Sequence, residues 1–254
     1  MTTALVRPVS PAIRECELSY RERVPIDPDR AAAQHRAYER ALVEAGCGLV
    51  HVPAAPELPD AVFIEDTAVV TDEVAVLARP GAVSRRPEVA GVAGILERYR
   101  PLRAIRAPGT LDGGDVLRVG RQVFVGASQR TNAEGARQLR SILEPLGYAV
   151  HSIPVTGCLH LESAVTALSD DTLLLNPDWV DPARLPGWRV VEVDPTEPHA
   201  ANVLRLEGAV LMAAGHDRTA ARVRALGVEV AEVDISELAK AEAGVTCCSL
   251  LLWP

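Results

Sequence analysis

The sequence has no long apolar run. Its apolar stretches, such as GAVLMAAG from Gly208 to Gly215, are far shorter than the ~20 residues that a membrane-spanning helix needs. Near the N-terminus, Arg7, Arg14 and Glu15 interrupt the region where a signal peptide would have its apolar core. We therefore expect neither a membrane segment nor secretion through a signal peptide.

Cysteine is also scarce. The chain has five cysteines, an odd number, and none of them has CxxC spacing, which argues against a disulfide framework and against a zinc site. They are Cys16, Cys47, Cys158, Cys247 and Cys248. This pattern fits a reducing compartment, so we predict that the protein is cytoplasmic.

The chain has no excess of positive charge. Its net charge of -8 argues against broad binding to nucleic acids or anionic membranes and favours small cationic ligands. Hydrophobic residues make up 48% and charged residues 24% of the 254 positions, so the chain can bury a substantial core without disulfides. We predict one domain that spans residues 1–254.

A repeated outline is present instead, in which two β-favouring stretches flank a short polar turn. Short polar or glycine-containing turns between such stretches predict β-hairpins. Four copies begin at Thr67, Gly114, Ser163 and Ala201, and their turns lie at Asp72-Glu73, Gly120-Arg121, Asp170-Asp171 and Glu207-Gly208.

A helical pattern and another short strand follow these hairpins, as in NAEGARQLRSILEPLG and AVHSIPV after the second. After the third hairpin, prolines interrupt NPDWVDPARLPG, so we expect a short or broken helix there. A fifth copy is split between the termini. TALVRPVS from Thr3 resembles VAVLARPG from Val74, and VTCCSLLL from Val245 would supply the missing first strand.

Repeats of roughly 40–50 residues predict five ββαβ units in a closed ring, which is a five-bladed α/β propeller around a central channel. Pairing of the N-terminal and C-terminal strands would close this ring. A doubly wound sheet also alternates strands and helices, but it does not supply a hairpin before nearly every helix.

Equivalent units would bring the segments before the first hairpin strands together at the axis. These segments hold a cysteine, a histidine and several carboxylates, which are the side chains that covalent thiol catalysis on a cationic substrate requires. They contribute Asp60, Glu65, Asp66, Asp112, Asp115, His160, Glu162, Asn202, Cys247 and Cys248. A structural interpretation is also open, since a cysteine can be a small buried hydrophobe and a carboxylate can cap a turn.

At these residues the sequence resembles the dimethylarginine dimethylaminohydrolase family of the pentein superfamily, whose members modify guanidines. The motifs that carry the resemblance follow the family's order over nearly the whole chain: LPDAVFIEDTAVV, ARPGAVSRRPEV, LDGGDVL, VGASQRTNAEGA, GCLHLES and GVTCCS. The resemblance implies a pentein propeller that hydrolyses asymmetric dimethylarginine or monomethylarginine to citrulline and dimethylamine or methylamine, without a metal or cofactor.

The resemblance also implies roles for single residues. Cys247 would be the nucleophile, His160 the general acid and base, and Asp112 the residue that orients the histidine. The implied substrate-binding residues are Asp60, Glu65 and Asp66 for the guanidinium, Arg85 and Arg130 for the carboxylate, the backbone near Ala241 for the amine, and Leu18 in a lid.

Physical chemistry supports a thiol in this role. A guanidinium carbon is a poor electrophile because its charge is delocalised, so it needs a thiolate. Nearby carboxylates should raise the thiol pKa by charge repulsion, and a bound cation should offset that effect. We expect Asp60, Glu65 and Asp66 to act on Cys247 in this way. If the stretch is a strand, Cys248 faces the opposite side and packs.

Other functions stay open. An arginine deiminase would use the same residues on unmethylated arginine, although the helical insertion usual in that type is not visible. A non-catalytic pentein, such as a ribosome-binding translation factor, would keep the ring without the thiol chemistry. A binding protein for arginine derivatives would lack turnover.

Glu162 departs from the family pattern, in which we expect a lysine or a neutral residue. Its carboxylate could raise the pKa of His160 or face solvent. The sequence leaves the oligomeric state open, a homodimer included.

Overall fold

The computed structural model describes residues 1–253 and contains five β-sheets of three strands each. In every sheet the middle strand pairs antiparallel with one neighbour and parallel with the other. The antiparallel neighbour is the other strand of the hairpin, and the parallel neighbour follows the crossover connection. The predicted ββαβ strand order is therefore confirmed.

The strands are β1 (Thr3–Val6), β2 (Gly48–His51), β3 (Ala68–Val70), β4 (Ala75–Leu77), β5 (Leu102–Ala104), β6 (Val116–Val119), β7 (Gln122–Ala127), β8 (Ala149–Pro154), β9 (Val165–Ala167), β10 (Thr172–Leu175), β11 (Arg189–Glu192), β12 (Val203–Arg205), β13 (Ala209–Ala213), β14 (Glu229–Val233) and β15 (Leu250–Leu252). The α-helices are α1 (Pro28–Glu44), α2 (Glu88–Leu96), α3 (Ala133–Leu143), α4 (Leu161–Ala164) and α5 (Asp217–Arg224). The sheets are β15-β1-β2, β3-β4-β5, β6-β7-β8, β9-β10-β11 and β12-β13-β14.

All four predicted hairpins form, and each predicted turn lies between its two strands. The second hairpin shows the reason most clearly. Gly120 has a φ of 57°, a left-handed conformation that glycine adopts without steric cost, and it joins β6 to β7 in a tight connection.

Two of the crossover helices, α1 and α3, begin at a residue whose side chain caps the helix. The Asp27 side chain accepts hydrogen bonds from two N–H groups in the first turn of α1, and Pro28 occupies its first position. Asn132 caps α3 by accepting from the Gly135 N–H. After the third hairpin only a single 3-10 turn forms, at Pro182–Arg184, so the expected break in that helix is confirmed.

The split fifth unit also forms. Strand β15 pairs antiparallel with β1, with Ala4 opposite Leu251, and β1 pairs parallel with β2. A buried hydrogen bond of 2.7 Å between the Tyr38 and Ser249 hydroxyl groups fixes the same region to helix α1. The predicted pairing of the terminal strands is confirmed.

The prediction of a strand through the two adjacent cysteines is wrong. Cys247 and Cys248 lie in a turn, and β15 begins only at Leu250. The backbone bends there because the Cys247 carbonyl accepts a hydrogen bond of 3.2 Å from the Glu65 N–H of the neighbouring unit instead of a ladder partner.

Neighbouring units share their hydrophobic cores. Leu139 of α3 packs in one cluster with Val76 of β4 and Val123 of β7, while Leu5 of β1 and Ala75 of β4 belong to another. Burial of such side chains stabilises each by roughly 1.5–3 kcal/mol and fixes adjacent units relative to each other. Within residues 1–253, no helix has the length and apolar character that crossing a bilayer requires.

Candidate active site

A short turn precedes the first strand of every hairpin, and these turns carry Glu65, Asp66 and Cys247 and directly follow Asp112 and His160. The five segments are Ile64–Thr67, Gly113–Asp115, Leu161–Ala164, Pro198–Ala201 and the turn at residues 246–249. Hydrogen bonds join them across units. The Glu65 N–H donates to the Cys247 carbonyl, and the Gly114 N–H donates to Asp66 Oδ1 at 3.0 Å. Residues distant in sequence therefore meet in one place.

His160 is buried between carboxylates. Its Nε2 lies 3.1 Å from Asp112 Oδ2 and its Nδ1 lies 3.7 Å from Asp66 Oδ1. Burial alone would lower the pKa of His160, but Asp66, Asp112 and Asp115 outweigh it and raise the pKa to about 10. The imidazole is thus a cation at neutral pH and can donate a proton.

Two glycines of the LDGGD motif allow the histidine to approach this closely. A Cβ at Gly114 would lie 2.8 Å from His160 Nδ1 and 2.9 Å from Asp66 Oδ1. A Cβ at Gly113 would lie only 2.0 Å from the Glu65 carbonyl oxygen. Any larger residue would push the neighbouring segments apart, so the two glycines are part of the site's construction.

Asp112 and Asp115 hold the histidine segment in place. Asp112 is fully buried, and its Oδ1 accepts a hydrogen bond of 2.8 Å from the Gly81 N–H. Asp115 accepts from the Leu161 N–H at 3.0 Å and from the Ser128 hydroxyl at 2.5 Å. Burial raises the pKa of Asp115 to about 6, although the His160 charge opposes that rise. The orienting role predicted for Asp112 fits its contact with His160.

Cys247 is half-buried, and its Sγ accepts a hydrogen bond of 3.3 Å from the Gly244 N–H. Burial raises the pKa of this thiol well above its usual value, and Glu65 and Asp66 add to the rise. Charge repulsion from Glu65 and Asp66 therefore acts in the predicted direction, whereas Asp60 is not among the main causes and burial is the largest one. Cys248 is completely buried in a hydrophobic cluster, as expected from the different jobs proposed for the two thiols.

Arg85 is a buried cation inside the protein's own network. Its Nε and Nη2 contact the Glu88 carboxylate at 3.2 and 2.9 Å, and its Nη1 lies 2.5 Å from Asp66 Oδ2. Burial would raise the pKa of Asp66, but His160 and Arg85 lower it to about 2. The fork that we predict to bind a substrate carboxylate thus holds internal carboxylates here, and its contact with substrate stays a prediction.

Arg130 has a donor to spare. Its Nη2 contacts the Ser19 hydroxyl at 3.2 Å, and its Nη1 lies 3.8 Å from Asp112 Oδ2. That Nη1 is buried and has no hydrogen-bond partner among residues 1–253. An unpaired buried donor is costly, so this Nη1 lacks a hydrogen bond that it would gain with a suitably placed acceptor, and the contact of Arg130 with a substrate carboxylate stays a prediction.

The predicted lid lies against the site. Asp60 accepts hydrogen bonds from the Glu17 N–H at 3.1 and 3.3 Å, and the Glu242 carboxylate accepts from the N–H groups of residues 19–21 at 2.6 to 3.1 Å. Leu18, between these two anchors, packs against the hydrophobic core. Hydrogen bonds therefore tie the segment predicted to be a lid at these two points, and its role as a lid stays a prediction.

Ala241 lies beside the second anchor. It is buried, and the next residue, Glu242, has a φ of 62°, a left-handed conformation that is uncommon for a residue with a side chain. Glu242 is also the residue whose side chain accepts hydrogen bonds from the lid. The predicted contact of the Ala241 backbone with the substrate amine stays a prediction.

Two cavities lie near the candidate site. One of about 310 Å³ adjoins Tyr20 and Arg21 of the lid, together with Cys158, Leu159 and Gly244. These last three residues are close in sequence to His160 and Cys247. The other cavity, about 640 Å³, is lined by the first strands of the hairpins. Its polar lining next to the site consists of Glu65, Glu162 and Thr246.

A metal site is not the best interpretation of the acidic surroundings. Donor atoms of Asp66, Asp112 and His160 lie within 4.8 Å of one another, a spacing that a metal ion could bridge. These atoms already pair among themselves, and Asp66 is also paired with Arg85. The arrangement fits an imidazolium held between two carboxylates.

Sequence reasoning missed several residues that hold the site together. No role was predicted for Glu88, although it lies three residues after Arg85, which is a spacing at which side chains pair on a helix. Gly244 and Thr246 belong to the GVTCCS motif but lacked a role until the turn geometry showed one. Glu242 carried no sequence signal, because its function depends on a lid that is distant in the chain.

The sequence of this chain is similar to the sequences of known proteins. Residues 50–196 match the family model described as arginine deiminase. An N(G),N(G)-dimethylarginine dimethylaminohydrolase of Streptomyces coelicolor is 43% identical over 252 residues, which cover 98% of this chain and 96% of that protein. The protein of the same name from Pseudomonas aeruginosa is 38% identical, covering 88% of this chain and 89% of its own length.

Solved structures share its fold. The Pseudomonas aeruginosa enzyme, as a cysteine-to-serine mutant complexed with citrulline, has a TM-score of 0.94 at 34% identity and covers 98% of each chain. A dimethylarginine dimethylaminohydrolase with histidine replaced by glycine, an adduct with S-methyl-L-thiocitrulline, has a TM-score of 0.95 at 34% identity, covering 99% of this chain and 100% of that one.

Five ββαβ units with a cysteine, a histidine and carboxylates at their meeting point define the pentein class of guanidine-modifying proteins. The sequence relationships narrow the assignment further. The chain belongs to the dimethylarginine dimethylaminohydrolase family.

Proposed function

We propose that the protein hydrolyses N-omega-methylated arginines to citrulline and releases dimethylamine or methylamine. The observation that carries this proposal is the buried His160 imidazolium, hydrogen-bonded to Asp112 in the segment neighbouring the half-buried Cys247 turn. Relatives that bear the dimethylarginine dimethylaminohydrolase name over nearly the full length support the same substrate class.

The reaction uses Cys247 as the nucleophile. Its sulfur attacks the guanidinium carbon and forms a tetrahedral adduct, and His160 donates its proton to the departing amine. The C–N bond breaks and a cationic thiouronium remains on the sulfur. The now neutral imidazole takes a proton from water, and the resulting hydroxide attacks the thiouronium carbon to give a second tetrahedral adduct. The C–S bond then breaks while the hydroxyl proton of this adduct leaves to solvent, which gives citrulline and the Cys247 thiolate.

The positive charge of the substrate promotes ionisation of the Cys247 thiol to the thiolate. With the site empty, burial and the carboxylates of Glu65 and Asp66 keep the thiol protonated. A bound guanidinium adds a positive charge beside the sulfur, so the thiol pKa falls and its proton leaves to solvent. The nucleophile is thus formed only when a cationic substrate is present.

Recognition divides between the two ends of the substrate. Asp60, Glu65 and Asp66 hold the guanidinium. At the other end, the unpartnered Arg130 Nη1 binds the carboxylate, with Arg85 as the second predicted cation. Leu18 covers the substrate from the lid, and the backbone at Ala241 contacts the substrate amine.

We assign the whole chain, residues 1–254, to one catalytic domain. The five sheets are the blades of an α/β propeller that the β1-β15 pairing closes. The reduced cysteines and their sparse distribution fit the cytoplasm. A homodimer is compatible with this function, which needs no residue from a second copy.

A citrulline assay on asymmetric dimethylarginine, monomethylarginine and arginine tests the proposal. We expect citrulline from both methylated substrates, with stoichiometric dimethylamine or methylamine, and far slower turnover of arginine. Faster turnover of arginine would favour an arginine deiminase, the name of the matching family model. Binding without citrulline would favour a binding protein.

A further inference from the structure

Glu162, the residue that departs from the family pattern, contacts one of the guanidinium-binding carboxylates. The Glu65 and Glu162 side chains line one cavity together with Thr246, and a hydrogen bond with the Glu162 side chain is one cause of the raised pKa of Glu65. A carboxylate has no donor, so such a bond requires one proton on the pair. The two alternatives expected for Glu162, raising the pKa of His160 or facing solvent, are replaced by this pairing.

Neighbouring polar groups fix the pair. The Thr246 hydroxyl donates to Glu65 Oε2 at 2.8 Å, and the Asn202 amide donates to that same hydroxyl at 3.0 Å. The Asn202 amide also donates to the Glu162 carbonyl at 2.9 Å. The Glu65 carboxyl group and the Glu162 backbone are therefore held at defined positions beside the Cys247 turn.

The pair lies between the site and solvent-accessible space. Glu65, Glu162 and Thr246 line the cavity of about 640 Å³, which the first strands of the hairpins enclose. Burial raises the pKa of Glu162 to about 7 and that of Glu65 well above its ordinary value. The cavity gives a proton on the pair a path to water.

No cation neutralises the pair within residues 1–253. The titratable groups around it are acidic or neutral at pH 7, namely Asp66, Asp115, Tyr38, Cys247 and Cys248. His160 and Arg85 are paired with Asp66. Arg118 and Arg205 line the same cavity, and they are paired with Asp72 and Asp170. A proton therefore takes the place that a positive charge would otherwise fill.

We propose that Glu162 is a positioning residue for the substrate guanidinium: it shares one proton with Glu65 while the site is empty, and the arriving cation displaces that proton to solvent. This inference rests on the proposed function, because it assumes that Glu65 faces the guanidinium. Loss of this proton leaves both carboxyl groups ionised beside the guanidinium. The positive charge of the substrate thus replaces the positive charge of the proton.

Such an exchange makes cation affinity depend on pH. Because binding releases a proton, the affinity rises with pH while the pair is protonated, by at most about tenfold per pH unit, and levels off once the pair is ionised. Replacing Glu162 by glutamine keeps the shape but supplies an amide donor to Glu65. The affinity should then lose most of this pH dependence.

Isothermal titration calorimetry in buffers of different ionisation enthalpy counts the protons. The experiment uses Cys247→Ser, which removes both turnover and the thiol proton, near pH 6, about one unit below the value to which the Glu162 pKa is raised. Asymmetric dimethylarginine and methylguanidine are the ligands. We expect release of about one proton with each.

Two further variants identify the source of the proton. Cys247→Ser with Glu162→Gln should release close to none and bind more tightly at low pH. The matched control adds Glu207→Gln to Cys247→Ser, since Glu207 is an exposed residue that lines the same cavity without contacting Glu65. It should still release about one proton.

Equal proton counts with and without Glu162, or no proton release from Cys247→Ser itself, would overturn the inference. The second result needs no variant at position 162, so it stands even if that variant folds poorly. Absence of methylguanidine binding would overturn it as well. Binding with the expected proton count but no citrulline from the wild-type enzyme would contradict the proposed function and leave this inference standing.

Discussion

His160 owes its charge to the carboxylates around it. Because its pKa in the folded protein is about 10 and that of an unfolded histidine is near 6.5, its ionisation stabilises the fold fully below about pH 6.5. That stability is lost as the pH rises through 10. Activity should fall over the same rise, since a neutral imidazole cannot protonate the departing amine.

We expect Asp112→Asn to lower the pKa of His160 and to reduce kcat by about 10²–10⁴, because the imidazolium loses its closest hydrogen-bonded anion. NMR titration of the imidazole nitrogens measures the pKa in both proteins. A His160 that titrates near 6.5 in the wild type would contradict the assigned protonation state.

The structure separates two arginines that the sequence treats alike. Arg130→Lys should weaken use of methylarginine by about tenfold or more while sparing methylguanidine, which has no carboxylate. Arg85→Lys should impair both substrates, because Arg85 holds Asp66 and Glu88 in place. Comparing kcat/KM for the two substrates tests this. Selective loss of methylarginine use in Arg85→Lys would show that Arg85 reads the carboxylate directly.

Residue types and motif spacing made most of the site predictable. Cys247, His160 and Asp112 occupy equivalent places in a repeat, so their meeting could be predicted without coordinates. The pairing of Arg85 with Glu88 and the proton shared by Glu65 and Glu162 could not be. Both depend on which of several nearby carboxylates lies within hydrogen-bonding distance.

The Glu242 side chain is one of the two points at which hydrogen bonds tie the lid to the rest of the protein. The Glu242 carboxylate accepts three backbone N–H groups of residues 19–21, and hydrogen bonds to a charged acceptor contribute about 1.5–3 kcal/mol each. Glu242→Gln should therefore release the lid, raise KM for methylarginine about tenfold and speed proteolysis within residues 16–24. Glu22→Gln, in the exposed part of the same lid, is the control. Equal proteolysis rates for the two variants would show that Glu242 does not latch the lid.

Strands and hairpins were easier to predict than the segments that precede them. Turn residues such as Gly120 mark a hairpin locally, so its existence follows from the sequence. The turn at Cys247 and Cys248 depends on a hydrogen bond from Glu65 in another unit, and the local apolar pattern indicated a strand instead. Cys248 is buried in the core as predicted, while the direction of the Cys247 thiol toward the substrate stays a prediction.

Pairing of the two terminal strands joins the ends of the chain. Deleting residues 247–254 removes β15 and leaves buried β1 without its antiparallel partner, so we expect loss of cooperative unfolding together with loss of activity. Deleting only residues 253–254 leaves β15 whole and should preserve the fold. Circular dichroism during thermal unfolding distinguishes the two outcomes. Cooperative unfolding of the longer deletion would argue against closure as a source of stability.

The five-unit architecture was predictable because one outline recurs at a regular period, and a unit split between the termini implies that they meet. The cavity next to the site could not be predicted, because the first strands of the hairpins form its walls and its volume depends on how they pack. The repeat thus determines which residues meet, while tertiary packing determines what space remains between them.

The central claim is that Cys247 forms a covalent bond with the substrate carbon. S-methyl-L-thiocitrulline offers a leaving thiol that needs little help from a general acid, so His160→Gly should form the thiouronium and hydrolyse it slowly for want of a base. Peptide mass spectrometry of this variant should find the adduct on Cys247 and none after the additional change Cys247→Ser. An adduct on Cys248, or citrulline formed at the normal rate by Cys247→Ser, would contradict the account.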